Sequence, residues 1–157
     1  MLFNLNCFLY TQPCDLENAA ETTHPKKTHN MKKVTGLGGI FFKSKDPKAM
    51  KEWYTINLGL PSTPWGTSFE WRQEDDPEKK CQTVWSPFKE DTTYFEPSTK
   101  EFMINYIVEN MEELVEQLRA AGVTILDDID NTEYGKFVHL LDPEGNKIEL
   151  WEAAPEE

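Results

Sequence analysis

The 157-residue sequence predicts an α+β domain made of two halves that share one order of elements: strand, helix, then further strands. Three observations carry this. The halves align at a constant offset of 64 residues, from 39 to 103, 46 to 110 and 85 to 149, pairing Gly39 with Met103, Asp46 with Asn110 and Trp85 with Glu149. Each half opens on an apolar run that passes through a capping residue into a helical stripe closed by glycine. The chain then ends on YGKFVHLLDPEGNKIELWE, Tyr134 to Glu152, which reads as strand, tight turn, strand. A repeat this regular is the strongest architectural signal in the chain.

In the first half, Leu37 to Phe42 is a glycine-interrupted apolar strand. Asp46 is placed to cap a helix with Pro47 at its first position, where the missing N–H costs nothing. Ala49, Met50, Trp53 and Ile56 or Asn57 follow at helical spacing, and Gly59 ends the helix. Trp65 to Trp71 and Gln82 to Ser86 read as strands, the second closed by Pro87, and Lys89 to Lys100 as a linker. In the second half, Phe102 to Val108 is a strand, and Asn110 with Glu113 resembles a capping box. Met111, Leu114, Val115, Leu118 and Ala121 form a helical stripe stopped by Gly122. Val123 to Leu126, Phe137 to Leu141 and Lys147 to Trp151 are the remaining strands. Pro143 and Gly145-Asn146 supply the turn chemistry of the last hairpin.

Hydrophobic residues make up 38% and aromatics 12% of the chain, enough for a packed core. The formal charge of -12 repels phosphate backbones and anionic lipid, so neither nucleic acid nor a membrane is an expected partner. Three cysteines, Cys7, Cys14 and Cys81, make no disulfide framework, and no run approaches the roughly 20 apolar residues of a membrane span. A cytoplasmic protein is expected. Residues 1–30 carry neither helical nor strand period and are expected to be a disordered extension, with Met31 as the functional start.

The strand–Asp-Pro–helix–Leu-Gly-Leu opening, the repeat, and the ending DPEGNKIELWE together resemble the vicinal oxygen chelate superfamily, the glyoxalase I, bleomycin-resistance protein and extradiol dioxygenase group. The resemblance covers about residues 34–152, with module one about 34–88, module two about 101–152, and 153–157 left as an acidic tail. It implies two βαβββ modules forming a curled, cup-shaped mixed sheet with flanking helices, with a small-molecule site inside the cup. It also implies a divalent metal held by His or Glu from equivalent strands. Here those positions fall on Gly39, Met103, Trp85 and Glu149, and only the last has a metal-competent side chain. No metal ligands are therefore assigned, and no cofactor is expected.

Strand alternation phased on Glu149 nominates the lining of the cup: Phe41 and Lys43, Thr83 and Trp85, Met103 and Asn105, then Lys147, Glu149 and Trp151. Tyr134 stands at its mouth. An aromatic wall with a few polar groups suits a small-molecule pocket, and it equally suits a filled cup or a dimer seam. Glu149 and His139, on neighbouring strands, are the candidate acid–base pair, set against a packed histidine and a rim carboxylate. Trp85 would stack on a flat ligand and Glu149 would favour a cationic or hydrogen-bond-donating one. Three functions compete: a metal-independent small-molecule binding protein, a glyoxalase-like lyase or dioxygenase using a divalent metal, and a dimeric structural or regulatory module with a filled cup. A homodimer is expected, because sheet edges at Phe41 or Trp151 would otherwise be exposed.

Overall fold

Alternating apolar residues and local turn chemistry lay the chain out as strands and helices in the computed structural model, which describes residues 34–155. The extension 1–30, the start at Met31 and the last two residues of the acidic tail lie outside the described residues. The first half contributes β1 (Val34–Ser44), α1 (Pro47–Leu58), β2 (Thr67–Arg72) and β3 (Lys80–Lys89). The second contributes β4 (Phe102–Val108), α2 (Met111–Ala120), β5 (Thr124–Ile125), β6 (Asp130–Thr132), β7 (Gly135–Leu141) and β8 (Lys147–Ala153).

These strands form one open mixed sheet in the order β2-β3-β1-β4-β8-β7-β5, with β6 added on β7. Strands β1 and β4 pair antiparallel at its centre, and each runs parallel to the last strand of its own half, β3 or β8. Ile40 and Ile104 lie directly opposite one another, so the repeat's internal two-fold passes between them. The sheet ends at β2 on one side and at β5 and β6 on the other. Phe41 and Trp151 therefore sit on interior strands, which corrects the expectation of exposed edges there.

The helix termini show how local and distant residues share capping. Asp46 accepts a hydrogen bond from the Ala49 N–H at 2.9 Å, and Gly59 closes α1 with φ +69°, a conformation that suits glycine. In α2 the expected capping box does not form. Asn110 takes φ +55° and makes no side-chain cap bond, while Glu113 accepts from Gln117 one turn on. Glu152 of β8 caps the helix instead, its carboxylate accepting the Met111 N–H at 2.7 Å. Strand β3 also continues through Pro87 to Lys89 rather than stopping there. Its pairing with β2 has ended at Trp85, so on that side the proline has no ladder bond to lose.

Both helices pack on the same side of the sheet. The main buried cluster lies under α2, where Met111, Leu114 and Val115 meet Val108, Val138, Leu140 and Leu150. The opposite, helix-free face is crossed by the segment between the modules, which the sequence reads only as a linker. Its Phe95 is fully buried and lies 5.3 Å, centroid to centroid, from Phe88.

Candidate functional site

Residues directly opposite on neighbouring strands share a sheet face. Gly39 faces Asn105, Asn105 faces Glu149, and Glu149 faces His139, so the four form one row across the helix-free side. Glu149 is 3% exposed, and its carboxylate is fully engaged. Asn105 Nδ2 donates to Oε1 at 2.6 Å, while His139 Nε2 at 2.9 Å and the Tyr94 hydroxyl both meet Oε2. On its other side His139 Nδ1 lies 2.6 Å from Asp127, whose second oxygen accepts the His139 backbone N–H at 2.8 Å. The imidazole thus stands between two carboxylates, an arrangement that only the doubly protonated ring satisfies on both sides.

The electrostatics follow from these contacts. Burial would raise the Glu149 pKa, but hydrogen bonds from His139, Tyr94 and Asn105 overcome it and hold the carboxyl below its ordinary 4.5. Burial would likewise lower His139, and its bonds to Glu149 and Asp127 overcome that and raise it above 6.5. Tyr94 is pushed well above its ordinary value by burial and by the Glu149 charge. Lys147 is lowered by burial; its ammonium donates to the Tyr94 carbonyl at 2.7 Å and lies 5.0 Å from the centre of the Tyr94 ring.

A cavity of about 410 Å³ opens beside this network. Phe41, Phe88 and Tyr94 form one wall, with Phe88 and Tyr94 stacked at 5.6 Å. Phe137, Tyr134 and Thr132 also line the cavity, together with Asp127, Asp128 and Asp130. Of the residues nominated from the sequence, Phe41, Tyr134, His139 and Glu149 line this cavity. Asn105 lies behind Glu149 as its buried support, and its Oδ1 finds no hydrogen-bond partner among the described residues. Met103 is fully buried and belongs to the packed interior. Lys147 anchors the inter-module segment. Trp151 stacks on Phe137 at 6.1 Å, donates to the Tyr134 carbonyl at 2.9 Å, and lines a neighbouring groove. Lys43 and Thr83 lie outside the cavity; the Thr83 hydroxyl donates to the Leu37 carbonyl at 2.5 Å.

Trp85 is the clear departure. Its ring lies 4.6 Å from Tyr54 of α1 and 5.4 Å from Phe42, on the helix side of the sheet. The reason is a one-residue difference between halves. The offset is 64 along the first strands, 40 to 104, but pairing makes Ser86 the partner of Phe41 as Glu149 is of Asn105, an offset of 63. Ser86, not Trp85, is the counterpart of Glu149, and Trp85 is the counterpart of Ile148. Sequence reading missed Tyr94, Phe88, Asp127 and Phe137. Tyr94 and Phe88 stand in or beside a stretch whose turn chemistry carries no strand period. The alternation that places His139 on the Glu149 face nominates Phe137 as well.

The donor set does not suit a divalent ion. Gly39 lacks a side chain, Met103 is a buried thioether, and the Ser86 hydroxyl donates to the Trp65 carbonyl at 2.5 Å. Among the described residues no three His, Cys, Asp or Glu side chains converge on one point. The Glu149 oxygens are already taken.

Residues 39–151 match the glyoxalase-like domain family. No curated protein sequence matches the chain significantly. Among solved structures, a variant of Streptomyces coelicolor methylmalonyl-CoA epimerase in complex with 2-nitronate-propionyl-CoA is similar at TM-score 0.58 and 16% identity, over 78% of this chain and 99% of that one. Methylmalonyl-CoA epimerase from Mycobacterium tuberculosis is similar at TM-score 0.51 and 18% identity, over 78% of this chain and 90% of that one. At these identities the likeness shows the fold.

Proposed function

The chain belongs to the glyoxalase-like domain family, within the vicinal oxygen chelate fold, and from that membership we propose that it is a metal-independent small-molecule binding protein. The observation that carries this is the Glu149 carboxylate. It is spent on His139, Tyr94 and Asn105 beside an aromatic cavity, where a chelating site would keep it free for a cation. The ligand enters among Phe41, Phe88 and Phe137. The protein acts as a cytoplasmic homodimer in this reading, with a sheet edge at β2 that no strand among the described residues pairs.

Elemental analysis of the purified protein, followed by melting-temperature shifts across a library of small aromatic compounds, tests the proposal. Substoichiometric metal and at least one saturable shift are expected. Stoichiometric Ni, Zn, Fe or Mn that is lost in Glu149→Gln would overturn it, and a melting temperature that no compound moves would favour a filled, structural cup. A light-scattering mass at micromolar concentration matching the 18.2 kDa chain would refute the dimer.

The Asp127–His139–Glu149 chain supports a second reading, acid–base catalysis on the bound molecule, with His139 and Glu149 exchanging the proton. A ligand recovered unchanged after long incubation with the protein would exclude it.

A further inference from the structure

We infer that the cavity beside His139 selects organic cations: an ammonium or other nitrogen cation carried on an apolar body. This rests on the small-molecule reading above and names the ligand class for that site. Its first support is the wall. Phe41, Phe88, Tyr94 and Phe137 line about 410 Å³, and aromatic faces attract a cation through their negative quadrupole. Tyr94 already shows this behaviour, with the Lys147 ammonium 5.0 Å from its ring centre.

The second support is the local charge. Among the described residues that line the cavity there is no lysine or arginine, while Asp127, Asp128, Asp130 and Glu149 all line it. Counting His139 and nearby Lys147 as cations against those four carboxylates leaves a net of two negative charges. Glu149 is neutralised within the network. Asp127 is partnered by His139, and Asp128 reaches Arg119 only at 3.6 Å in full solvent exposure. Asp130 lies directly opposite Phe137 on β6 and β7, so its carboxylate and that ring share a face. A cation seated among the rings would meet Asp130 without displacing a bond of the buried network. The charge of -12 draws such a ligand inward and opposes a polyanion such as a coenzyme A ester.

The test uses four soluble probes at neutral pH with the full chain: benzyltrimethylammonium, benzyl alcohol, benzoate and coenzyme A, titrated by calorimetry or ligand-observed NMR. The cation should bind about tenfold more tightly than the alcohol, between the scales of an exposed and a desolvated cation–π contact. Benzoate and coenzyme A should not saturate. Asp130→Asn should weaken the cation about threefold to tenfold and leave the alcohol unchanged, with an unaltered melting temperature showing that the variant is folded. Binding of the alcohol or either anion as tightly as the cation overturns the cation preference. If Phe41→Ala then weakens those probes, the small-molecule reading survives it. Failure of all four probes to bind overturns the inference and counts against that reading as well.

Discussion

Helix α2 buries Met111, Leu114 and Val115 against β4, β7 and β8, whereas its counterpart α1 buries no residue and leaves Trp53, Ile56 and Leu58 exposed. The same contrast runs across the sheet. Glu149 of the second half anchors a buried network, while its counterpart Ser86 makes one bond to a loop carbonyl. Two halves of one topology therefore divide the work unequally. Pairing order is reproduced by backbone geometry, but hydrophobic content and buried charge belong to individual side chains, and these have diverged. The second half holds the core and the charged site; the first supplies Phe41 and Phe88 as a wall.

The largest expected effect tests that contrast in the core. Leu114→Ala should cost about 2–5 kcal/mol in denaturant unfolding, as for other buried leucines, whereas Ile56→Ala in α1 should stay within about 0.5 kcal/mol. Equal costs would mean that α1 is buried in the working protein, most simply by a second copy. Next comes the site. Glu149→Gln should cost about 1.5–3 kcal/mol, the scale of bonds to a buried charge, and Ser86→Ala about 1 kcal/mol, the scale of a neutral one. A negligible cost at Glu149 would dissolve the asymmetry there. Trp85→Ala should lower stability by about 1–2 kcal/mol through lost packing on Tyr54 and Phe42, while ligand affinity is unchanged. Weakened binding in a folded Trp85→Ala protein would return Trp85 to the cavity.

The smallest effect is in pH. Glu149 is depressed in the folded protein, so its contribution is present above its ordinary 4.5 and fades as pH falls through the lower folded value. His139 is raised, so its contribution is complete below 6.5 and fades as pH rises through the higher folded value. Stability should therefore be greatest between about pH 4.5 and 6.5 and fall on both sides. In His139→Gln the alkaline decline should flatten, and a decline that persists unchanged would assign it to another group.

Much of the fold is legible before any coordinate. The Asp46-Pro47 helix start, the Gly59 stop, the Phe102 to Val108 strand and the DPEGN turn each follow from residues adjacent in sequence. That His139 lies one strand over from Glu149 is also readable, but the register that sets the two side chains directly opposite comes from the paired strands. The α2 cap is not, since Glu152 lies 41 residues from Met111 and only sheet formation brings it there.

What the sequence determined by itself is the order of elements, the doubled topology and the buried stripe of α2, all of which depend on contacts within a turn or a hairpin; the stripe read for α1 stays exposed at Trp53 and Ile56. Tertiary structure alone decided the registers between distant strands and the path of the segment between the modules. Side chains alternate with a period of two, so the single residue separating an offset of 64 from one of 63 moves Trp85 to the helix side and puts Ser86 opposite Phe41. No local pattern encodes that slip, nor the fold-back that brings the Tyr94 hydroxyl, 55 residues away in sequence, onto Glu149. Both are settled by which long-range pairings bury the most surface while leaving each buried charge a partner.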